Sequence, residues 1–306
     1  MTSRTSDLLL TALVPVIWGS TYIVTTSFLQ GYPPVTLAML RALPAGLFLL
    51  LFVRELPKGI WTLRVFVLGA LNFSIFASML FISAQRLPGG VAATIGAVQP
   101  LLVILLARFL LGDALRMLDI IAACAGIVGV AMLVLTPGAA FDRVGVMAGL
   151  AGAASMALGT VLNRKWAAPV SMVTLGAWQL TAGGLLLVPV VLLVDAPVPV
   201  PDTNDLLALA WLGLVGMAFA YVIWLRGIAR LGPRIATSLA LLSPLTAVLL
   251  GWLLLGQTFD AVQVTGALAI AGSIGLLQRN DGREFRGNNR SSEDGANRHT
   301  LRRHFR

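Results

Sequence analysis

Residues 86–112 read RLPGGVAATIGAVQPLLVILLARFLLG, and residues 230–256 read RLGPRIATSLALLSPLTAVLLGWLLLG. At a shift of 144 the two stretches align without a gap, and 10 of the 27 positions are identical. Leucine matches are cheap in apolar sequence. The matches Pro100/Pro244 and Gly112/Gly256 are not. Upstream, a shift of 138 places Leu40-Arg41 on Trp178-Gln179 and Trp18 on Met156. The six-residue difference falls in the Pro-rich segment Ala196-Pro197-Val198-Pro199-Val200-Pro201. The chain is therefore an internal duplication.

Each copy is a series of long apolar runs. Hydrophobic residues make up 58% of the 306 positions and charged residues 11%, against roughly a quarter charged in soluble proteins. A water-soluble body of this composition would have no polar surface. Lipid suits it, and in lipid only helices or closed barrels satisfy the backbone. The runs approach twenty residues without the strict alternation of barrel strands. The reading is an all-α membrane protein with ten transmembrane helices, expected at 8–28, 35–53, 65–84, 90–111, 118–135, 145–162, 172–194, 206–225, 235–255 and 261–277. Five spans per copy is an odd number, so the second copy starts from the opposite side. The halves, 1–140 and 141–277, form two inverted five-helix repeats, followed by a basic tail at 278–306 whose composition predicts disorder. Inverted repeats are a common design of carriers that bind substrate near the midplane.

The net charge of +9 does not indicate a nucleic-acid partner, because the basic residues follow topology. Nineteen of the 22 Lys and Arg lie at the termini or in alternate connections, two lie on the other side, and Arg41 lies inside a span. The positive-inside bias puts both termini in the cytoplasm. The apolar run after Arg4 lacks a small-residue cleavage site, so it reads as a retained first span rather than a signal peptide. Cys124 is expected as a small buried hydrophobe.

Trp18-Gly19-Ser20-Thr21, Arg41, the run through Ala92, Pro100, Leu101, Gly112 and Asp113, and its copy through Pro244 and Gly256-Gln257 resemble the drug/metabolite transporter superfamily in its ten-span EamA-type branch. The resemblance covers about residues 8–277. Within that branch the chain is most similar to bacterial aromatic amino acid exporters. The resemblance implies an inner-membrane exporter of amino acids or related metabolites, with a central cavity lined mainly by spans 1, 3, 4, 6, 8 and 9.

Polar groups inside a bilayer are costly and mark function by default. Arg41 is a candidate partner for a substrate carboxylate. Alternatively it reaches the interface, about 10 Å away at helical rise, or binds carbonyls of a neighbouring helix. Its copy, Gln179, is neutral. Pro100 and Pro244 free the carbonyls of Gly96 and Ala240. These face a substrate ammonium, water or a hydroxyl, or the prolines simply kink the helices for packing or gating. Gln99 and Ser243 precede the prolines and serve either reading. Trp18 and Tyr22, Phe73 and Phe76, and Tyr221 and Trp224 are candidate aromatic lining. Asn72, Thr94 and Ser238 complete the set, although such hydroxyls often bond their own backbone. Trp211 and Trp252 read as interface anchors, and Gly145, Gly149, Gly152 and Gly159 as close-packing positions.

No Asp or Glu falls mid-span, both histidines are in the tail, and there is no phosphate-binding loop. The expected mode is an uncoupled uniporter working by alternating access, needing no metal or cofactor, acting as a monomer on a small-molecule substrate in a lipid bilayer. A multidrug or lipophilic-compound exporter of the same fold is the alternative, though a cation carrier would favour an intramembrane carboxylate. An enzyme would need a catalytic group of residues in the spans, and the sequence offers none.

Overall fold

The structure, a computed structural model, describes residues 2–113, 117–134, 142–194, 199–231, 239–240, 242–257, 260–262, 264–269 and 271–272. No strand occurs among them. In chain order the helices are α1 (Thr2–Phe28), α2 (Pro34–Val53), α3 (Ile60–Arg86), α4 (Gly89–Leu111), α5 (Met117–Val134), α6 (Arg143–Trp166), α7 (Met172–Val194), α8 (Thr203–Leu231) and α9 (Leu242–Leu255). Seven of them, α1 to α4 and α6 to α8, are long and apolar enough to cross a membrane, and α9 is a shorter apolar helix. Helix α5 starts one residue before the expected fifth span, and the helical residues 264–269 lie within the expected tenth. The proposed tail lies outside the described residues.

Local chemistry fixes several helix ends. Pro34 starts α2, where its missing N–H costs nothing. Asp142 caps α6 through the Gly145 N–H at 2.9 Å. Asp202 and Asp205 form a reciprocal capping box at the start of α8. Gly112 ends α4 with φ +77, which a side chain would resist.

The packing obeys a two-fold exchange of the repeats, in which α1, α2, α3 and α4 swap with α6, α7, α8 and α9. Helix α1 packs on α9 and α8, as α6 packs on α4 and α3. Helix α3 packs on α7 as α8 does on α2, while α2–α7 and α4–α9 are self-related pairs. Glycines report the exchange at atomic level. A Cβ on Gly69 would lie 2.7 Å from Gln179 O, and its repeat copy Gly213 approaches Arg41 O at 3.7 Å. Gly46 meets the backbone of Leu180 and Thr181, while its copy Gly184 meets Leu43 at 2.6 Å. Lipid supplies no hydrophobic drive between helices, so this backbone approach is what joins the halves.

Both α3 and α8 contain a π-helical stretch, at Ala70–Ile75 and Trp211–Phe219. The wider turns leave carbonyls that neighbouring side chains satisfy. Ser155 Oγ donates to Leu71 O at 2.7 Å, and Trp18 Nε1 donates to Gly216 O at 2.9 Å. Those donors sit on α6 and α1, which the two-fold also exchanges.

The ends of the bundle carry matching ion pairs. At the end holding the start of α1, Asp7 lies 3.1 Å from Arg226 and 3.2 Å from Arg230. At the opposite end, Asp142 lies 2.8 Å from Arg86, the repeat copy of Arg230. Cys124 is corrected by the structure: it is exposed on α5, not buried. Lipid is as apolar as a protein core, so a thiol gains nothing by facing inward. Trp252 is likewise exposed, at 58%, whereas Trp211 donates to Ser20 Oγ at 2.9 Å.

Candidate functional site

A cavity of about 250 Å³ lies between the halves. Of the residues singled out by sequence, Trp18, Tyr22, Arg41, Asn72, Phe73, Phe76, Gln99, Pro100, Tyr221, Ser243 and Pro244 line it. Two of the others do not line it. Thr94 turns its hydroxyl back to Gly90 O at 2.6 Å, satisfying itself within its own helix. Trp224 packs at a tilt against Trp18, with ring centroids 5.1 Å apart, and so backs the wall. Ser238 lies outside the described residues. Sequence reasoning missed Thr21, Ser83, Met156 and Met217, which also contribute. Met156 was already marked as the repeat copy of Trp18, and that was the available signal.

Arg41 dominates the electrostatics. It is 4% exposed, yet its Nε and Nη1 have no hydrogen-bond partner among the described residues. Its guanidinium carbon sits 5.8 Å from the Phe81 ring centroid, an aromatic contact that offers weak compensation. A buried cation without a counter-charge is costly. The other half carries its copy differently. Gln179 accepts from Asn72 Nδ2 at 2.7 Å and donates to Asn163 Oδ1 at 2.9 Å. The two-fold thus places a satisfied amide opposite an unsatisfied cation.

Helix α4 breaks beside the cavity. Its first segment ends at Gly96 and its second begins at Gln99. Ala97 N–H donates to Ala93 O and Thr94 O, both at 3.1 Å, and Val98 N–H to Ile95 O at 3.2 Å. Leu101 N–H goes to Val98 O at 3.0 Å, and Pro100 has no N–H. Neither Gly96 O nor Ala97 O therefore receives the bond a continuous helix would supply, and both residues line the cavity. Ser83, 2% exposed, adds a hydroxyl without a partner. Phe73 and Tyr221 meet edge to face at 5.9 Å to complete an aromatic wall.

A duplicated helical bundle enclosing a cavity between its halves defines a membrane transporter of the multi-pass class. The chain belongs to the EamA-like transporter family, whose profile matches residues 5–135 and 143–278, once per repeat. It is a transporter rather than an enzyme. It is 42% identical over 269 residues to Protein PecM of Dickeya dadantii (strain 3937), covering 86% of this chain and 89% of that one. It is 30% identical over 253 residues to the "Uncharacterized inner membrane transporter YedA" of Escherichia coli (strain K12), covering 81% and 82%. It is 26% identical over 279 residues to the "Probable amino-acid metabolite efflux pump" of Salmonella typhimurium (strain LT2), covering 88% and 93%. A crystal structure with 21% identity superposes with a TM-score of 0.64 over 90% of this chain and 98% of its own, which supports the fold.

Proposed function

We propose that the protein exports small organic metabolites, amino acids foremost, across a bacterial inner membrane by alternating access. The observation that carries this reading is Arg41, a buried guanidinium in the cavity wall with two unsatisfied nitrogens. A substrate carboxylate supplies both the missing charge and the missing acceptors, and charge-assisted bonds of this type are the strong ones. The aromatic lining from Trp18, Phe73, Phe76 and Tyr221 suits an aromatic or other neutral side chain. A relative named as an amino-acid metabolite efflux pump and another named as an inner membrane transporter agree with this assignment.

The carrier works as an uncoupled uniporter with both termini in the cytoplasm. Among the described residues the buried carboxylate is Asp7, which two arginines already neutralise outside the cavity wall. A coupling proton has no evident seat in the pathway. The proposed unit is a monomer, because both repeats of one chain contribute residues to the cavity lining. The test uses purified protein in liposomes with labelled neutral amino acids, with and without ion gradients. Facilitated movement that stops at equal concentrations is expected, and Arg41→Ala is expected to abolish saturable uptake. Accumulation driven by a pH difference would refute the uniporter, and normal transport by Arg41→Ala would refute the carboxylate contact.

A further inference from the structure

The geometry points to the break in α4 as the subsite for the substrate's ammonium group, which makes the cavity selective for zwitterions rather than for carboxylates at large. This inference rests on the amino-acid reading of the cavity and extends it from the substrate's carboxylate to its ammonium.

A protonated amine needs acceptors, and in lipid it needs them without water. The residues at the break supply them. Gly96 O and Ala97 O lose their helical donors because Pro100 lacks an N–H and Leu101 turns to Val98 O. The segment Gly89–Gly96 also ends there, so its last carbonyls carry the partial negative charge of a helix C-terminus. Ser83, whose buried hydroxyl has no partner among the described residues, belongs to the same cavity lining from α3. Tyr22 lies beside the break: its hydroxyl oxygen would be 3.8 Å from a Cβ placed on Gly96, and it lines the same cavity as Arg41. The cavity therefore offers donors at Arg41 and acceptors at the α4 break to the two charged groups that an amino acid carries on one carbon, with aromatic surface for the side chain.

The second half is not equivalent. On α9 the residue before Pro244 packs against α1, where a Cβ on Gly19 would come within 2.5 Å of Ser243 O and 2.7 Å of Thr246 Cβ. The copy of Arg41 is the neutral Gln179, so the duplicated scaffold presents one cation for a carboxylate rather than two.

The test exploits proline chemistry. Pro100→Ala restores the N–H that Gly96 O lacks and fills the acceptor from within the helix, leaving the guanidinium untouched. Three probes are compared on protein in liposomes: phenylalanine, 3-phenylpropionate lacking the ammonium, and 2-phenylethylamine lacking the carboxylate. Phenylalanine uptake is read directly, and the other two are read as inhibitors of it and by tryptophan fluorescence. Pro100→Ala is expected to raise KM for phenylalanine by about 10-fold or more, the worth of a hydrogen bond to a charged group. Binding of 2-phenylethylamine should weaken by a similar factor, and 3-phenylpropionate should keep its affinity within about twofold. Pro100→Gly, which restores the same N–H without a side chain, should match, and Pro244→Ala should discriminate the probes far less. Equal weakening of all three probes by Pro100→Ala, or an unchanged KM for phenylalanine, would overturn the ammonium subsite. Wild-type protein that binds none of the three would overturn the amino-acid reading beneath it.

Discussion

The α2–α7 contact makes a quantitative demand on stability. A Cβ on Gly46 would collide with the backbone of Thr181 and come within 2.7 Å of Leu180 C, while a Cβ on Gly184 would lie 2.6 Å from Leu43 Cα and Cβ. Ordinary contact begins at 3.4 Å, so Gly184→Ala alone drives the helices apart by about 0.8 Å. The obstructing atoms are mostly backbone, which cannot rotate away. Overpacking of this kind costs about 1–3 kcal/mol. Because the two glycines are exchanged by the two-fold, both substitutions call for the same separation. Once Gly46→Ala has opened the interface, the second methyl enters space already made. The double variant should therefore lose less than the sum of the singles, with a coupling of about 1 kcal/mol or more. Unfolding in mixed micelles titrated with sodium dodecyl sulfate, followed by circular dichroism, measures all three variants. Additivity within about 0.5 kcal/mol would refute the reasoning, because it would mean that each site yields locally by bending rather than by parting the helices.

The remaining predictions concern polar contacts. The Gly145 N–H, and after it the Arg86 guanidinium, hold the Asp142 carboxyl below the usual carboxylate range. The stabilisation it gives is complete above the ordinary aspartate pKa of about 4 and disappears as pH falls through the lowered value. Acid titration of wild type and Asp142→Asn in nanodiscs should give stabilities that differ at neutral pH and converge in acid; a constant gap would contradict this. Gly159→Ala places a methyl group on the Asn72 amide and should break the chain from Asn72 through Gln179 to Asn163, at a cost of about 1–3 kcal/mol. Adding Asn72→Ala to Gly159→Ala should recover part of that loss in the same micelle titration, since it removes the obstructing group; a further loss would count against the reading.

The duplication and most spans were legible because transmembrane helices declare themselves by length and apolarity, and the matching prolines survive where leucines drift. Helices α2 and α7 begin and end within a residue of expectation, since turn-forming residues bound them. The π-helical stretches in α3 and α8 left no trace in composition, because widening a turn changes hydrogen bonding and not residue type. Orientation within the bundle was harder to read. Lipid and protein interior are equally apolar, so no hydrophobic stripe says which face looks inward, and the cavity's small residues and Ser83 look like any other helix-packing positions. Thr94 and Ser83 show the difficulty most clearly. Both are hydroxyls near the cavity, but Thr94 bonds Gly90 O at 2.6 Å and Ser83 bonds nothing among the described residues. That choice depends on rotamer and neighbours, not on sequence.

The ties at the two ends of the bundle are unequal. One carboxylate, 8% exposed, is gripped by two guanidiniums where α1 begins, while at the far end a single guanidinium faces a carboxylate 32% exposed and shared with a helix cap. Parting α1 from α8 therefore breaks two charge contacts, whereas parting α3 from α6 breaks one. Duplication supplied one scaffold twice, and the second guanidinium, Arg226, makes its two ends unequal.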